Sequence, residues 1–291
     1  MIHLRPDVGI VGAGKVGATL ARLWHAAGYN IAAVYSPTST HAAQLAAIVD
    51  AVVVTAPAQV VIASDLTVLS VPDDAIEPVA AVIRVADATG KAIIHNSGAH
   101  SVDVLASVAA QGVQVGSLHP AFPFADVDTA VQSLPGATFA IEAGDDPLRS
   151  WLFDLVAAVD GQALIIPAGG KAAYHASLVM LSNYTVSLYA AAVRLLAGVA
   201  ADESAIHNAL TTLLAATVEN IRTQGLPTAL TGPLVRGDAG TIRAHLAAIS
   251  DADIANAYRE LARLTVPLLT ARDVDAEFIE NLNDLLEDTC D

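Results

Sequence analysis

The chain has 291 residues, enough for one large or two ordinary domains. Its 30 acidic against 14 basic side chains give a formal net charge of −16, which argues against a nucleic-acid partner, since phosphate binding needs a basic surface. The single cysteine, Cys290, excludes an intramolecular disulfide framework and a thiolate metal cluster, and no metal site is expected.

A short buried strand, Val8-Gly9-Ile10-Val11, leads at once into Gly12-Ala13-Gly14-Lys15-Val16-Gly17 and a helix from Ala18 to Ala27. G-x-G-x-x-G between a strand and a helix is the dinucleotide-binding pattern in the context that gives it meaning. Gly12 permits the tight turn, Gly14 lets the backbone approach a pyrophosphate, and Gly17 lets the helix pack against the strand. The free N–H groups of the helix then face the phosphates. Ile31 to Tyr35 reads as a second strand, followed by a helix from about His41 to Ile48 and a strand Ala51 to Val54. A short helix around Gln59 to Ala63 precedes the strand Asp65 to Ser70. Helix 74–87, strand 92–95, helix 101–110 and strand 113–117 continue the alternation, and strands 139–142 and 163–166 flank a helix from Pro147 to Val159. Strand–helix alternation with continuously apolar strands predicts an α/β fold with a doubly wound parallel sheet of the Rossmann kind.

The texture changes at Pro167-Ala168-Gly169-Gly170. Beyond this hinge no strand is predicted: Lys171 to about Leu196 reads as one long helix, followed by helices near 203–223, 239–248, 251–271 and 275–288. The expected division is a dinucleotide-binding domain over 1–166 and an all-α domain over 167–291. Hydrophobic residues make up 54 % of the chain, and Ala172 to Val193 carries no formal charge, a nominal membrane span. His175, Ser177, Ser182, Asn183, Thr185 and Ser187 lie within it, however, and such groups are costly in lipid. No basic cluster flanks it to set an orientation. A helix buried at the centre of a soluble domain or dimer is therefore expected, without membrane contact. A charged turn interrupts the first apolar stretch, so no signal peptide is predicted and a cytoplasmic location is expected, with Cys290 a thiol in a frayed tail.

In NAD-binding units an acidic residue at the end of the second strand holds the ribose 2′-hydroxyl. That place holds Ser36, Thr38 and Ser39, whose hydroxyls can donate to a 2′-phosphate that a carboxylate would repel, so NADP is favoured and NAD stays open. No arginine follows Ser36, which leaves Arg5 or Lys15 as candidate phosphate partners. Ser70-Val71-Pro72 ends a parallel strand at the edge that lines the ligand crevice, where the nicotinamide half would lie. Asp73 or Asp74 as a mere helix cap is an equal reading of that segment. The expected cofactor set is Gly12, Gly14, Lys15, Val16, Gly17, Ser36, Ser70, Val71, Pro72 and Asn96.

Four polar segments are placed to meet a small-molecule substrate. After a strand, His95-Asn96-Ser97-Gly98-Ala99-His100 offers the N–H groups of Ser97 and Gly98 and the Ser97 hydroxyl to a carboxylate. Ser117-Leu118-His119-Pro120 lies at another strand end, with His119 either functional or a satisfied loop histidine. On the long helix, His175 stands about 40° round from Lys171 and about 6 Å along the axis, so these two can touch one reacting group. Lysine can protonate a carbonyl or imine as hydride arrives, and a cation at a helix start opposes the dipole, which favours function over a simple terminus. Arg236, in Leu230-Thr231-Gly232-Pro233-Leu234-Val235-Arg236-Gly237-Asp238, either clamps a substrate carboxylate or pairs with Asp238.

Taken together, Gly12-x-Gly14-x-x-Gly17, Val71-Pro72-Asp73-Asp74, His95-Asn96-Ser97-Gly98, Leu118-His119-Pro120, Lys171-x-x-Tyr174-His175-Ala176, Ser182-Asn183 and the 230–238 segment resemble the Rossmann-like/DUF2520 family of oxidoreductases. Its wider relatives are the ketopantoate, pyrroline-5-carboxylate and 6-phosphogluconate group. The resemblance implies NAD(P)-linked hydride transfer and a helical domain through which two copies form a homodimer. It implies a catalytic Lys171, with His175 standing where several relatives carry asparagine. It also makes 2-dehydropantoate the first candidate among small 2-oxo acids. An imine substrate and a dinucleotide-binding sensor without turnover are the alternatives, and a deazaflavin cofactor is a further one. The expected catalytic set is Lys171, His175 and His119, with Ser97, Gly98 and Arg236 for the substrate.

Overall fold

The computed structural model describes residues 5–144 and 146–287, so Cys290 lies outside the described residues. Eight strands form one sheet: β1 (Val8–Val11), β2 (Ile31–Tyr35), β3 (Val52–Val53), β4 (Leu66–Leu69), β5 (Ala92–His95), β6 (Gln114–Pro120), β7 (Thr138–Ala143) and β8 (Gln162–Ile165). Their order is β3-β2-β1-β4-β5-β6-β7-β8, and the first six in that order run parallel. The chain moves outward in one direction from β1 and in the other from β4, so the switch point lies between them, at the Gly12 and Ser70 ends.

Eight helices accompany the sheet: α1 (Lys15–Ala26), α2 (Ser39–Ile48), α3 (Pro57–Ala63), α4 (Asp73–Val82), α5 (Ala106–Ala109), α6 (Val127–Ser133), α7 (Leu148–Ala157) and α8 (Lys171–Leu181). Strands covered on both faces can be apolar at every position, and all residues of β1 and β4 are buried. Alternate side chains point to opposite faces, which builds two cores. Ile10, Val68 and Ile94 join Trp24, Leu118 and Phe139 on one side, while Val11, Leu69 and Ile93 join Ile76 and Leu105 on the other. Each such aliphatic side chain contributes roughly 1.5–3 kcal/mol by burial. Trp24 is fully buried and donates its indole N–H to the Leu155 carbonyl at 3.2 Å, so its polar atom is satisfied.

Several elements differ from expectation. β7 runs antiparallel to β6, with Pro120 opposite Phe139 and Gly116 opposite Ala143. That pairing extends β6 beyond its last parallel partner, so His119 and Pro120 lie within the strand and not after it. Helix α4 stops at Val82 and not at 87, because Ile83 is extended and the Arg84 guanidinium takes the carbonyls of Ala81 and Ile83. The predicted helix 101–110 is a 3-10 turn (Val102–Leu105) followed by the short α5. Helix α6 was unforeseen; its start is fixed by the Asp126 carboxylate, which accepts the Thr129 N–H at 2.8 Å.

The long helix predicted from Lys171 is interrupted at Ser182, and compact units divide there, one ending at Ser182 and one beginning at Asn183. The expected boundary at 167 marks where the sheet ends; α8 stays with the first unit because Lys171 and Tyr174 bond to it.

The second unit holds α9 (Asn183–Ala197), α10 (Glu203–Gln224), α11 (Ala239–Ala248), α12 (Ala252–Thr270), α13 (Ala276–Glu280) and α14 (Leu282–Glu287), with no strand among its described residues. Part of the acidity of the chain is structural: Asp202, Asp238, Asp251 and Asp275 each accept a first-turn N–H and cap a helix. Ile242, Ala262, Leu269, Leu282, Leu285 and Leu286 form its core. Lys171–Ala197 is long and apolar enough to cross a membrane by length and composition. The expected burial is not met within one chain: α9 packs on α10, yet no residue of α9 is buried.

Candidate active site

The glycine turn is built by exclusion. Gly12 has φ +105°, and a Cβ there would stand 2.2 Å from the Ser70 carbonyl oxygen. A Cβ on Gly17 would stand 2.2 Å from the Gly12 carbonyl oxygen, so neither position admits a side chain. Gly14 is different: nothing lies within 4 Å of its Cβ position, which leaves open space in front of the turn. Gly12 N–H donates to Tyr35 O and Ser70 N–H to Val11 O, each at 2.7 Å, knitting the turn to the ends of β2 and β4. Lys15 and Val16 open α1, whose N-terminus has neither a side-chain cap nor an acid in its first turn and is free to meet an anion. Ser36 directly follows β2, Ser70-Val71-Pro72 follow β4, and Asn96 follows β5. All the expected cofactor residues thus stand along one edge of the sheet. Asp73 and Asp74 lie in the first turn of α4 after the N-cap Pro72 and cap nothing by their side chains.

The loop after β5 carries the polar centre. His95 is fully buried; its Nδ1 accepts the Ser97 N–H at 3.1 Å and its Nε2 faces the Ser101 carbonyl at 3.2 Å. A neutral ring with its proton on Nε2 satisfies both bonds. Burial, helped by the Lys171 charge, pushes its pKa down to about 4. The Ser97 hydroxyl oxygen accepts the N–H groups of Ala99 and His100 at 3.2 and 3.1 Å, while the Ser97 carbonyl accepts Lys171 Nζ at 2.8 Å. The Ser97 N–H expected in a carboxylate cradle is held by His95 instead.

Lys171 is 2 % exposed and is the first residue of α8. Burial pulls its pKa down to about 8 against the opposing pull of the Glu142 and Asp73 carboxylates. Both protonation states are accessible near neutral pH, the property a proton donor needs. Gly98 lies where two imidazoles converge. A Cβ there would be 2.7 Å from His175 Cδ2 and 2.8 Å from His119 Nε2. Those rings stand edge-on with centroids 6.3 Å apart. His119 Nδ1 lies 2.8 Å from the Tyr174 hydroxyl. Burial lowers the His119 pKa to about 4 and pushes the Tyr174 phenol up to about 12, so both are neutral at pH 7. Asn96 Nδ2 donates to Leu118 O at 2.6 Å, while its buried Oδ1 has no protein partner, nor has the buried Ser117 Oγ.

Lys171, His175, His119, Ser97, Gly98 and Asn96 are thus brought together within the first unit. Arg236 belongs to the second unit, where it is exposed. The Asp238 carboxylate bonds to Thr241 and caps α11, and those bonds, ahead of the Arg236 charge, hold its pKa down. Sequence reasoning missed Tyr174, His95 and Glu142 as members of the site. Tyr174 carried a signal, one helical turn beyond Lys171; Glu142 carried none, since its place depends on the direction of β7.

A glycine turn at the switch point of a doubly wound sheet, with a buried lysine at the same edge, defines a Rossmann-like unit joined to a helical one. Residues 2–120 match the Rossmann-like domain, and residues 137–265 match a domain of unknown function, DUF2520. The chain thus carries a Rossmann-like domain followed by a DUF2520 domain. No curated protein matches the sequence. Among solved structures, a candidate NADP oxidoreductase from Bacteroides fragilis is 23 % identical over 92 % of this chain and 98 % of its own, with a TM-score of 0.65. An imine reductase from a Pseudomonas species is 17 % identical over 97 % and 100 %, with a TM-score of 0.65. A reductive aminase from Aspergillus terreus, in complex with NADPH and ethyl-5-oxohexanoate, is 19 % identical over 97 % and 92 %, with a TM-score of 0.62. At these identities the likeness is one of fold.

Proposed function

We propose that this chain is an NADP-dependent oxidoreductase that reduces the carbonyl group of a small 2-oxo acid, with 2-dehydropantoate the first substrate to try. The observation that carries the reading is Lys171: a buried amine whose pKa is brought to about 8, held by the Ser97 carbonyl at the sheet edge where the glycine turn lies. The residues present fit a dinucleotide. The open space before Gly14 suits a pyrophosphate, the uncapped start of α1 suits its charge, and Ser36 suits a 2′-phosphate. The unpartnered Oδ1 of Asn96 is an acceptor for a carboxamide N–H. When bound, the reduced nicotinamide supplies a hydride. Lys171 Nζ delivers the proton to the substrate oxygen, and the neutral His119 and His175 rings wall the reacting centre beside Gly98.

The likeness to structures of NADP-linked and imine-reducing enzymes supports the reductase class, and it makes C=N compounds the second arm of the test. Purified protein is mixed with NADPH and a panel of 2-oxo acids and cyclic imines, and absorbance is followed at 340 nm. Oxidation with the acids supports the reading, and oxidation with imines alone moves the substrate class. Tight NADPH binding without turnover on either arm would instead mark a sensor.

The helices α9 and α10 expose Val186 (69 %), Leu213 (64 %) and Val218 (58 %), and a homodimer that covers them is part of the same proposal. Light scattering of the purified chain at twice the monomer mass supports it, and a monomer at micromolar concentration removes it.

A further inference from the structure

The loop from Ser97 to Val102 is held from both ends. At one end the Ser97 carbonyl accepts Lys171 Nζ at 2.8 Å. At the other, the Val102 N–H donates to Glu142 Oε2 at 3.3 Å. His95 closes the loop from within, through Ser97 N–H and Ser101 O. The sheet register explains why Glu142 reaches this loop. His95 pairs with Ser117 across β5 and β6, and Ser117 pairs with Glu142 across β6 and β7. Paired residues present their side chains to the same face, so His95, Ser117 and Glu142 form one row, and the reversed direction of β7 is what places a carboxylate there.

We propose that Glu142 is a positioning residue for Lys171: its carboxylate anchors the Ser97–Val102 loop that bonds the amine and brings a negative charge into the row of His95 and Ser117 beside it. The groups that face Lys171 leave it this role. On β5 and β6 stand His95 and His119, whose burial keeps both rings neutral at pH 7. On its own helix stand His175 and Tyr174, the latter a protonated phenol with its ring centroid 5.9 Å from Nζ. Among the described residues the two acids that act on Lys171 are Glu142 and Asp73, and Glu142 acts the more strongly. Asp73 is exposed at the start of α4, where water screens it, whereas Glu142 is half-buried. The interaction is reciprocal: Lys171 holds the Glu142 carboxyl down against the burial that raises it. An ammonium ion taken out of water needs such a partner to keep its proton.

The activity arm of the test rests on the reductase reading above; the chemical arm does not. Lys171 is labelled with a water-soluble amine-reactive reagent across pH 6 to 10 in the full-length protein, and the modified peptide is quantified by mass spectrometry. Glu142→Gln keeps an oxygen for Val102 but loses the charge, and the labelling midpoint is expected to fall by about one pH unit or more. Glu142→Asp keeps the charge on a shorter arm that loses the Val102 bond, and its midpoint is expected to stay near wild type. The alkaline limb of kcat/KM should shift with the labelling midpoint. A Glu142→Gln midpoint equal to wild type, or a Glu142→Asp midpoint that falls as far as that of Glu142→Gln, overturns the proposal and leaves Glu142 a loop anchor. A shifted midpoint in a protein that oxidises no NADPH sustains the proposal and removes the reductase reading instead.

Discussion

His119 Nδ1 and the Tyr174 hydroxyl, 55 residues apart in sequence, share a 2.8 Å hydrogen bond that ties β6 to the first turn of α8. Both side chains are partly buried, so Tyr174→Phe leaves one ring nitrogen without its partner. A buried group stranded in this way costs about 1–3 kcal/mol. Thermal unfolding of Tyr174→Phe is therefore expected several degrees below wild type. An unchanged midpoint would show that the ring nitrogen finds water.

Turnover should depend on pH through Lys171. The proposed reaction draws on the ammonium form, whose pKa lies at about 8, so kcat/KM is expected to be level below that pH and to fall tenfold per unit above it. Lys171→Met should lower kcat by about 100-fold or more while NADPH affinity, read by fluorescence titration, stays near wild type. Equal kcat in the variant would remove the lysine from proton delivery.

The same amine weighs on stability, and the sign is determined by the direction of its shift. The folded value, about 8, lies below the ordinary 10.5, so the folded state releases its proton more readily than the unfolded one. The penalty is fully present below pH 8 and disappears as pH rises towards 10.5, a gain of about 3 kcal/mol. Denaturant titrations should therefore show wild-type stability rising across pH 8 to 10.5 relative to Lys171→Met. Parallel pH curves for the two proteins would contradict a buried, destabilised ammonium.

Gly98 has no room for a methyl group beside His119 and His175. Gly98→Ala is expected to displace both rings at a cost of about 1–3 kcal/mol. Activity should fall with NADPH affinity nearly unchanged, since the glycine turn is untouched. Wild-type kcat in this variant would place the reacting centre elsewhere.

Ser36 stands where a carboxylate would select NAD. Ser36→Asp is expected to weaken NADPH binding about tenfold, an unfavourable change of roughly 1.4 kcal/mol, and to leave NADH binding equal or tighter. Parallel titrations with the two cofactors give the ratio directly. An unaltered ratio would place the 2′-phosphate away from β2.

The parts of the site that sequence reveals are the local ones. The glycine turn is legible because strand, turn and helix are contiguous and each glycine answers a steric demand within a few residues, as Gly12 and Gly17 do. Lys171 is legible because it breaks a local rule, a cation placed at a helix start. Its partner is not, because Ser97 lies 74 residues away and is met only once β5 and α8 are in place. His119 reads as a loop residue until β7 arrives antiparallel and draws it into a strand, and the same reversal sets Glu142 opposite Ser117. Nothing in the apolar pattern of 139–142 distinguishes the two strand directions. The interruption at Ser182 is equally silent, since the apolar texture runs through it without a proline or glycine.

Because the chain divides after Ser182, the glycine turn and the Lys171 amine are carried by one compact body. Their separation is set by the sheet and by the bond from Lys171 to the Ser97 carbonyl. The proposed dinucleotide site and the proposed proton donor therefore share one folding unit, and their register is fixed within it.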